Sequence, residues 1–258
     1  MYICASMAIA ENIVKMGAGP RPLVIIPGLS TTRLTGDPRL LENSFRIFLD
    51  DFTVWFVDRR DNIPENCSSR DLADHVYEDL SAAGVKEASV IGISQGGMIA
   101  QYFAADHPEM VTKAVFAATV AGPNAMMKDT FATWISLAEQ KRYRELNHDM
   151  FTRIYSPDYF NNYRKAMEYA EKTMRPDDDV KFIRLTRACL SHDSREALGR
   201  ISCPAMVAGG KLDKVLSFAG SEEIAASLGC PLLCFEDFGH AFYDETPDFY
   251  RKAYEFLR

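Results

Sequence analysis

The sequence predicts an α/β protein whose mostly parallel central sheet carries helices on both faces and is interrupted once by a helical insertion. Three observations predict it. Short apolar runs closed by Gly, Pro or a polar turn alternate with stretches whose apolar residues recur every three or four positions. The connections between them are short, which implies right-handed crossovers and a sheet covered on both sides. The alternation then lapses over residues 123–190, where only helical patterns occur, and resumes to the end of the chain.

The elements follow in order. Leu23-Val24-Ile25-Ile26 is a continuous apolar run stopped by Pro27-Gly28, suited to a strand buried on both faces. Pro38 to Asp50 is helical, with Leu41, Phe45, Phe48 and Leu49 on one stripe. Thr53 to Val57 is a strand rich in β-formers. Asp71 to Ala83 is a helix with Leu72, Val76 and Leu80 in line, and Gly84 stops it. Ala88 to Ile91 is a third strand, Ser94 to Ala105 a third helix, and Ala114 to Ala118 a fourth strand. Within the insertion, Thr130–Ala138, Asn161–Met174 and Val180–Leu190 are helical, separated by Ser156-Pro157 and by Arg175-Pro176-Asp177-Asp178-Asp179. Ala205–Ala208 is a strand, Leu216–Leu228 a helix, Leu232–Phe235 a strand and Asp248–Leu257 a last helix. The chain therefore divides into a core of residues 1–122 and 191–258 and a helical insertion of residues 123–190.

Composition narrows the function classes. A 258-residue chain with 47% apolar and 25% charged residues suits a globular domain. A net charge of −7, with no Lys/Arg-rich block, argues against a nucleic-acid partner, and no apolar run has the roughly 18 residues of a membrane span. The opening MYICASMAIAENIVKMG lacks the basic start of a signal peptide. The cysteines at 4, 67, 189, 203, 230 and 234 are scattered, with no CxxC pair and no His at metal spacing. They point to small apolar side chains in a reducing cytoplasm and to no metal site.

Gly92-Ile93-Ser94-Gln95-Gly96-Gly97 is the stretch that carries chemistry. Gly-x-Ser-x-Gly alone is weak evidence. Here it follows a strand and opens a helix, the setting of a nucleophile elbow, where flanking residues must be tiny to permit a strained turn. A serine needs a base to take its proton. His75 and His107 belong to helices, and His148 and His192 fall among polar residues and read as surface groups. His240, in Phe238-Gly239-His240-Ala241, directly follows the last strand, at the carboxyl edge of the sheet where Ser94 also lies. The imidazole in turn needs a carboxylate. Asp213, behind Gly209-Gly210 after the preceding strand, supplies it; Asp237 is too close in sequence, and Thr119–Asn124 offers no acid. Oxyanion donors would be the N–H of Gln95 and of Leu29, with Ser30 as runner-up, from the Pro27-Gly28-Leu29-Ser30 loop.

Taken together, these segments resemble the α/β-hydrolase superfamily, in its capped, esterase-like branch. LVIIPG stands at the oxyanion loop, VWFVDRRDN where relatives have a strand followed by Asp and Arg, and GISQGG at the elbow; ADHPEMVTKAVF, CPAMVAGGKLD and FGHAFYDE follow in family order. The resemblance implies the α/β-hydrolase fold, with residues 123–190 as a cap. It implies a Ser94–His240–Asp213 triad needing no metal or organic cofactor. Many relatives have His-Gly where this chain has Pro27-Gly28, which removes a side chain that braces the oxyanion loop, and the short segment before Leu23 suggests a trimmed leading hairpin.

The expected activity is hydrolysis of an ester or related acyl bond in a small, partly apolar substrate. The same residues would serve a thioesterase, a lactonase, a carbon–carbon bond hydrolase or an acyltransferase, and a slow-turnover ligand sensor is the rival from another class. Ser30, Met126, Met127, Phe131, Trp134 and Ile135 would line an apolar pocket over Ser94, or the stripe at helical spacing simply packs the insertion on the core. A homodimer through the cap or an edge strand is compatible with the sequence and not specified by it.

Overall fold

In the computed structural model, which describes residues 7–258, the apolar runs become an eight-stranded sheet. The strands are β1 (Met7–Ala10), β2 (Ile13–Met16), β3 (Arg21–Ile26), β4 (Phe52–Val57), β5 (Ala88–Ile93), β6 (Val111–Ala117), β7 (Ala205–Gly210) and β8 (Leu232–Phe235). Their order across the sheet is β1-β2-β4-β3-β5-β6-β7-β8. From β4 to β8 every neighbouring pair is parallel, and β1–β2 and β2–β4 are antiparallel. Met1–Ser6, including Cys4 and the start of the segment weighed as a signal peptide, lie outside the described residues.

The helices are α1 (Pro38–Ser44), α2 (Ser69–Ala82), α3 (Gln95–Asp106), α4 (Ala125–Glu139), α5 (Tyr143–Ile154), α6 (Pro157–Asn162), α7 (Arg164–Thr173), α8 (Asp179–Leu190), α9 (Arg195–Leu198), α10 (Phe218–Leu228), α11 (Phe242–Glu245) and α12 (Asp248–Leu257). Although the strands read as unbroken apolar runs, their period of two still sorts side chains between two cores. Val24, Ile26 and Val90 face Leu72, Val76 and Leu80 of α2, Ile99 and Phe103 of α3 and Ile224 of α10. Leu23, Ile25, Ile91 and Val115 face Leu41, Phe48 and, on α12, Phe249, Ala253 and Leu257. Between β6 and β7, helices α4–α8 form a separate layer, with α4 packed on α5 and α8, and α5 on α7. A third apolar cluster, including Met127, Phe131, Trp134 and Phe182, joins that layer to Met98, Val120, Val215 and Leu216.

Three expectations are corrected. The leading hairpin is not trimmed: Val14 and Met16 are fully buried, and β2 pairs with β4 from Ile13↔Val57 to Met16↔Val54. The helix expected over Pro38–Asp50 stops at Ser44 and gives way to a short 3-10 turn at Arg46–Phe48; its start is fixed by Pro38 at the first position and by Asp37, whose side chain accepts from the Arg39 and Leu40 amides. Asn161–Met174 is not one helix. Ser156 caps α6, with Pro157 at its first position, and α7 begins only after Tyr163.

Candidate active site

Ser94 stands where β5 ends and α3 begins, with φ 56° and ψ −118°, a conformation that costs a non-glycine residue about 1–3 kcal/mol. The surroundings over-determine it. Its amide donates to the Ala117 carbonyl at 2.8 Å, and its own carbonyl accepts from Met98 N at 3.1 Å and from the Thr119 hydroxyl at 2.9 Å. Close packing explains the glycines: a Cβ on Gly96 would come within 2.0 Å of the Ile26 carbonyl oxygen, and one on Gly92 within 2.5 Å of the Gly96 oxygen.

The three expected side chains meet. His240 Nε2 lies 2.9 Å from Ser94 Oγ, and Nδ1 lies 2.8 Å from Asp213 Oδ2. All three residues are buried, so water does not compete for these bonds. With Nδ1–H donating to Asp213, the neutral ring presents the Nε2 lone pair to the serine hydroxyl. Burial alone would raise the Asp213 carboxyl. The charge and hydrogen bond of His240, joined by the Leu216 and Val215 amides on Oδ1 at 2.9 and 2.7 Å, outweigh it and hold the carboxyl below its usual range. Asp213 is therefore an ionised, fixed acceptor.

The loop after β3 closes the other side. A Cβ on Gly28 would sit 3.2 Å from Ser94 Cβ and 3.8 Å from Oγ, so the backbone leading into Leu29 runs directly beside the hydroxyl. Gln95 is the first residue of α3, where a helix leaves its amide without an intrahelical acceptor. Its buried side chain donates from Nε2 to the Leu185 carbonyl at 2.8 Å and lies 3.1 Å from Cys189 Sγ, which ties the elbow to α8. Burial pushes the Cys189 thiol up to about 12, so it stays protonated.

A further residue shapes this region. Arg59, almost fully buried just beyond β4, donates to the carbonyls of Pro27 at 2.7 Å and Gly28 at 2.5 Å. Asp58 pairs with it at 3.3 Å and accepts from Leu34 N at 3.0 Å. Arg59 thus braces the loop from which Pro27 had displaced the usual histidine. The signal was a charged doublet directly behind a buried strand in VWFVDRRDN.

The residues offered for an apolar pocket lie in two places. Met127, Phe131 and Trp134 are buried in the third cluster, Trp134 donating to Asp149 at 2.8 Å, and Met126 is 37% exposed. Ser30 instead lines a cavity of about 310 Å³ between the loop after β3, the end of β4 and α8. Phe182 and Leu185 form its apolar part, while at its polar side Arg33 and Lys181 both pair with Asp61. Among the histidines, His148 is exposed and pairs with Glu171. His192 is not a surface group: it is 1% exposed and bonds the Val120 carbonyl at 3.1 Å. Among the described residues no group of three or more His, Cys, Asp or Glu is arranged to hold a metal, and no helix is long and apolar enough to cross a membrane.

Comparison with known proteins agrees with this architecture. A family model described as alpha/beta hydrolase fold matches residues 21–247. A poly(3-hydroxyalkanoate) depolymerase from Ectopseudomonas oleovorans is 31% identical over 160 residues, which is 60% of this chain and 55% of the relative, so the chain spans about half that protein's length. A 3-oxoadipate enol-lactonase 2 from Acinetobacter baylyi is 22% identical over 258 residues, 96% of this chain and 92% of the relative. Among solved structures, MGS-M2, an alpha/beta hydrolase enzyme from a Medee basin deep-sea metagenome library, superposes with a TM-score of 0.83 at 21% identity, over 96% of this chain and 95% of that one.

Proposed function

The chain belongs to the α/β-hydrolase fold family, and from that premise we propose that it is a serine hydrolase acting on an ester or related acyl bond of a small, partly apolar molecule. Ser94 Oγ attacks the acyl carbon as His240 Nε2 takes its proton. His240 passes that proton to the departing alcohol oxygen, leaving the acyl group on Ser94. Water then attacks the acyl-enzyme, giving one proton to His240, which returns it to Ser94 as the acid product leaves. Asp213 stays ionised throughout and stabilises the imidazolium. The oxyanion of each tetrahedral intermediate takes hydrogen bonds from the Gln95 and Leu29 amides, the latter held in place by Arg59.

The observation that carries this reading is the unbroken relay Ser94–His240–Asp213, at 2.9 and 2.8 Å, hung on a serine held in a strained backbone conformation. Strain of that kind persists where geometry serves a purpose. Residues 123–190 serve as the cap. The acyl carbon must reach Ser94, and the cavity between α8 and the loop after β3, whose lining includes none of the three triad residues, offers the rest of the substrate an apolar wall at Phe182 and Leu185. The names of two relatives, a depolymerase and an enol-lactonase, favour open-chain esters and lactones as the first compounds to try. The cysteine usage fits a reducing compartment such as the cytoplasm.

The test is a panel of p-nitrophenyl esters, thioesters and lactones, with Ser94→Ala as blank and a fluorophosphonate probe as label. The wild type turns over members of the panel and is labelled; Ser94→Ala folds but does neither. Equal labelling of the two proteins would remove Ser94 as the nucleophile. Saturable binding with negligible turnover by the wild type would favour a sensor.

A further inference from the structure

His240 sits on a short stretch of chain between Phe238 and the four-residue helix α11, and the core holds that stretch mainly by apolar contact. Phe242 is fully buried, stacked on Phe235 with centroids 4.6 Å apart and set edge-on to Phe249. Such contacts keep a helix against a surface but are weakly directional, so they do not by themselves fix where an imidazole points. Apart from the imidazole's own bonds to Asp213 and Ser94 and the Leu212 amide on the Phe238 carbonyl, the directional bonds to this stretch come from the insertion, at the corner Ile154-Tyr155-Ser156 where α5 ends and α6 begins.

Three contacts converge there. The Ala241 amide, next to His240, donates to the Ile154 carbonyl at 2.9 Å. Glu245, the last residue of α11, receives both donors of Ser156: the amide reaches Oε1 at 2.8 Å and the hydroxyl reaches Oε2 at 2.5 Å. Gly239, on the other side of His240, lies so close to the same corner that a Cβ would come within 2.8 Å of the Ile154 oxygen and 2.9 Å of the Ser156 nitrogen. Ser156 is itself buried, and its hydroxyl also accepts from Tyr159 N at 3.2 Å as the cap of α6. One corner of the insertion therefore grips the base-bearing segment before, beside and after His240.

Resting on the serine-hydrolase reading, we infer that Glu245 is a positioning residue: its two-point clasp on Ser156 makes a seated insertion a condition for aligning His240 with Ser94. Apolar packing sets the depth of α11; the clasp sets its rotation. Losing the clasp frees the imidazole from its register without removing any group that touches the substrate, and misplacement of a catalytic group by about 1 Å costs up to about a hundred-fold in rate. The effect falls on the chemical step rather than on binding. The clasp also links any movement of the α5–α6 corner to the base, so lifting that corner switches off proton transfer.

The experiment measures kcat and KM for a p-nitrophenyl ester that the wild type hydrolyses, alongside Ser94→Ala. Glu245→Ala is expected to lose about ten-fold or more in kcat with KM changed by less than about two-fold. Glu245→Gln is expected to recover most of the loss, because its amide oxygen still accepts from the Ser156 amide and its amino group can donate to the hydroxyl oxygen. Wild-type kcat in Glu245→Ala, equal losses in the Ala and Gln variants, or a change confined to KM would each overturn the inference. Should Glu245→Ala fail to fold, Ser156→Thr and Ser156→Ala take its place, with kcat expected to stay near wild type in the first and fall in the second; equal values overturn it. Full turnover by Ser94→Ala would instead remove the reading on which the inference rests, whereas an inactive Ser94→Ala beside a fully active Glu245→Ala sinks the clasp alone.

Discussion

A carboxylate as deeply buried as Asp213 stays charged only where enough donors replace the water it has lost, and here an imidazole and two amides do so. Arg59 is equally enclosed; its Nη1 and Nη2 reach Asp58 and two carbonyls of the loop beside Ser94, while its Nε has no partner. Its planar fork spans the Pro27 and Gly28 oxygens together, which a single ammonium cannot. Arg59→Lys is therefore expected to keep the charge balance with Asp58 while loosening the loop that presents the Leu29 amide. Steady-state hydrolysis by this variant should fall about ten- to hundred-fold in kcat/KM, with the unfolding free energy from urea titration within about 1 kcal/mol of wild type. Arg59→Met should behave differently, losing about 3–5 kcal/mol of stability because Asp58 is left buried and unpaired. Unchanged kcat/KM in Arg59→Lys would mean that the loop holds its shape without the brace.

At the scale of elements, the turn from β5 to α3 leaves no room for a side chain at Gly92 or Gly96. Gly96→Ala places a methyl group 2.0 Å from the Ile26 carbonyl oxygen, which is backbone in the middle of the sheet and cannot swing aside. The substitution should cost about 3 kcal/mol or more, the upper end for overpacking, measured by urea unfolding. A loss under about 1 kcal/mol would show that β3 and α3 can part more easily than their packing implies. This turn was legible in the sequence because its glycines and its serine lie within six consecutive residues. The strands were legible because each is a compact apolar run. Helix ends were harder to read, since caps are single polar residues whose meaning depends on where the next turn packs. Ser68, which forms a capping box with Asp71, starts α2 at Ser69 rather than Asp71. Ser156-Pro157 is the start signal of α6 as well as a break before it.

At the scale of the whole molecule, what the sequence concealed is contact between distant segments. The charged doublet behind β4 singles out Arg59 without naming Pro27 as its partner, and nothing local marks Glu245 as a partner of Ser156 or His192 as interior. His192 lies where the chain returns from the insertion, beside Ser194, whose amide donates to Ala121 at 2.6 Å and whose hydroxyl donates to Gln101 Oε1 at 2.5 Å. His192 and Ser194 together fasten the return of the insertion to its departure at Val120 and Ala121. Burial holds the His192 imidazole well down, at about 4 against an ordinary 6.5, partly offset by its bond to the Val120 carbonyl. The sign follows from linkage. The neutral form is favoured in the folded protein, so between pH 6.5 and 4 the unfolded chain takes up a proton that the folded chain refuses. Stability from this group is complete above about pH 6.5, declines as pH falls through that window, and levels off below about pH 4. The full difference is about 3 kcal/mol, of which about 2 kcal/mol is lost between pH 7 and pH 5. Carboxylates held low, such as Asp106 at about 2, lose their contribution at more acid pH, whereas Asp244, pushed up by burial to about 6, takes up a proton inside this window and works in the opposite direction, so the histidine is isolated by comparison with a variant that lacks it. Urea unfolding of wild type and of His192→Gln at pH 7 and pH 5 checks this: the wild type should lose about 2 kcal/mol more than the variant over that interval. Parallel losses in the two proteins would mean that His192 takes up its proton without leaving the interior, and that the junction of insertion and core is looser than its hydrogen bonds indicate.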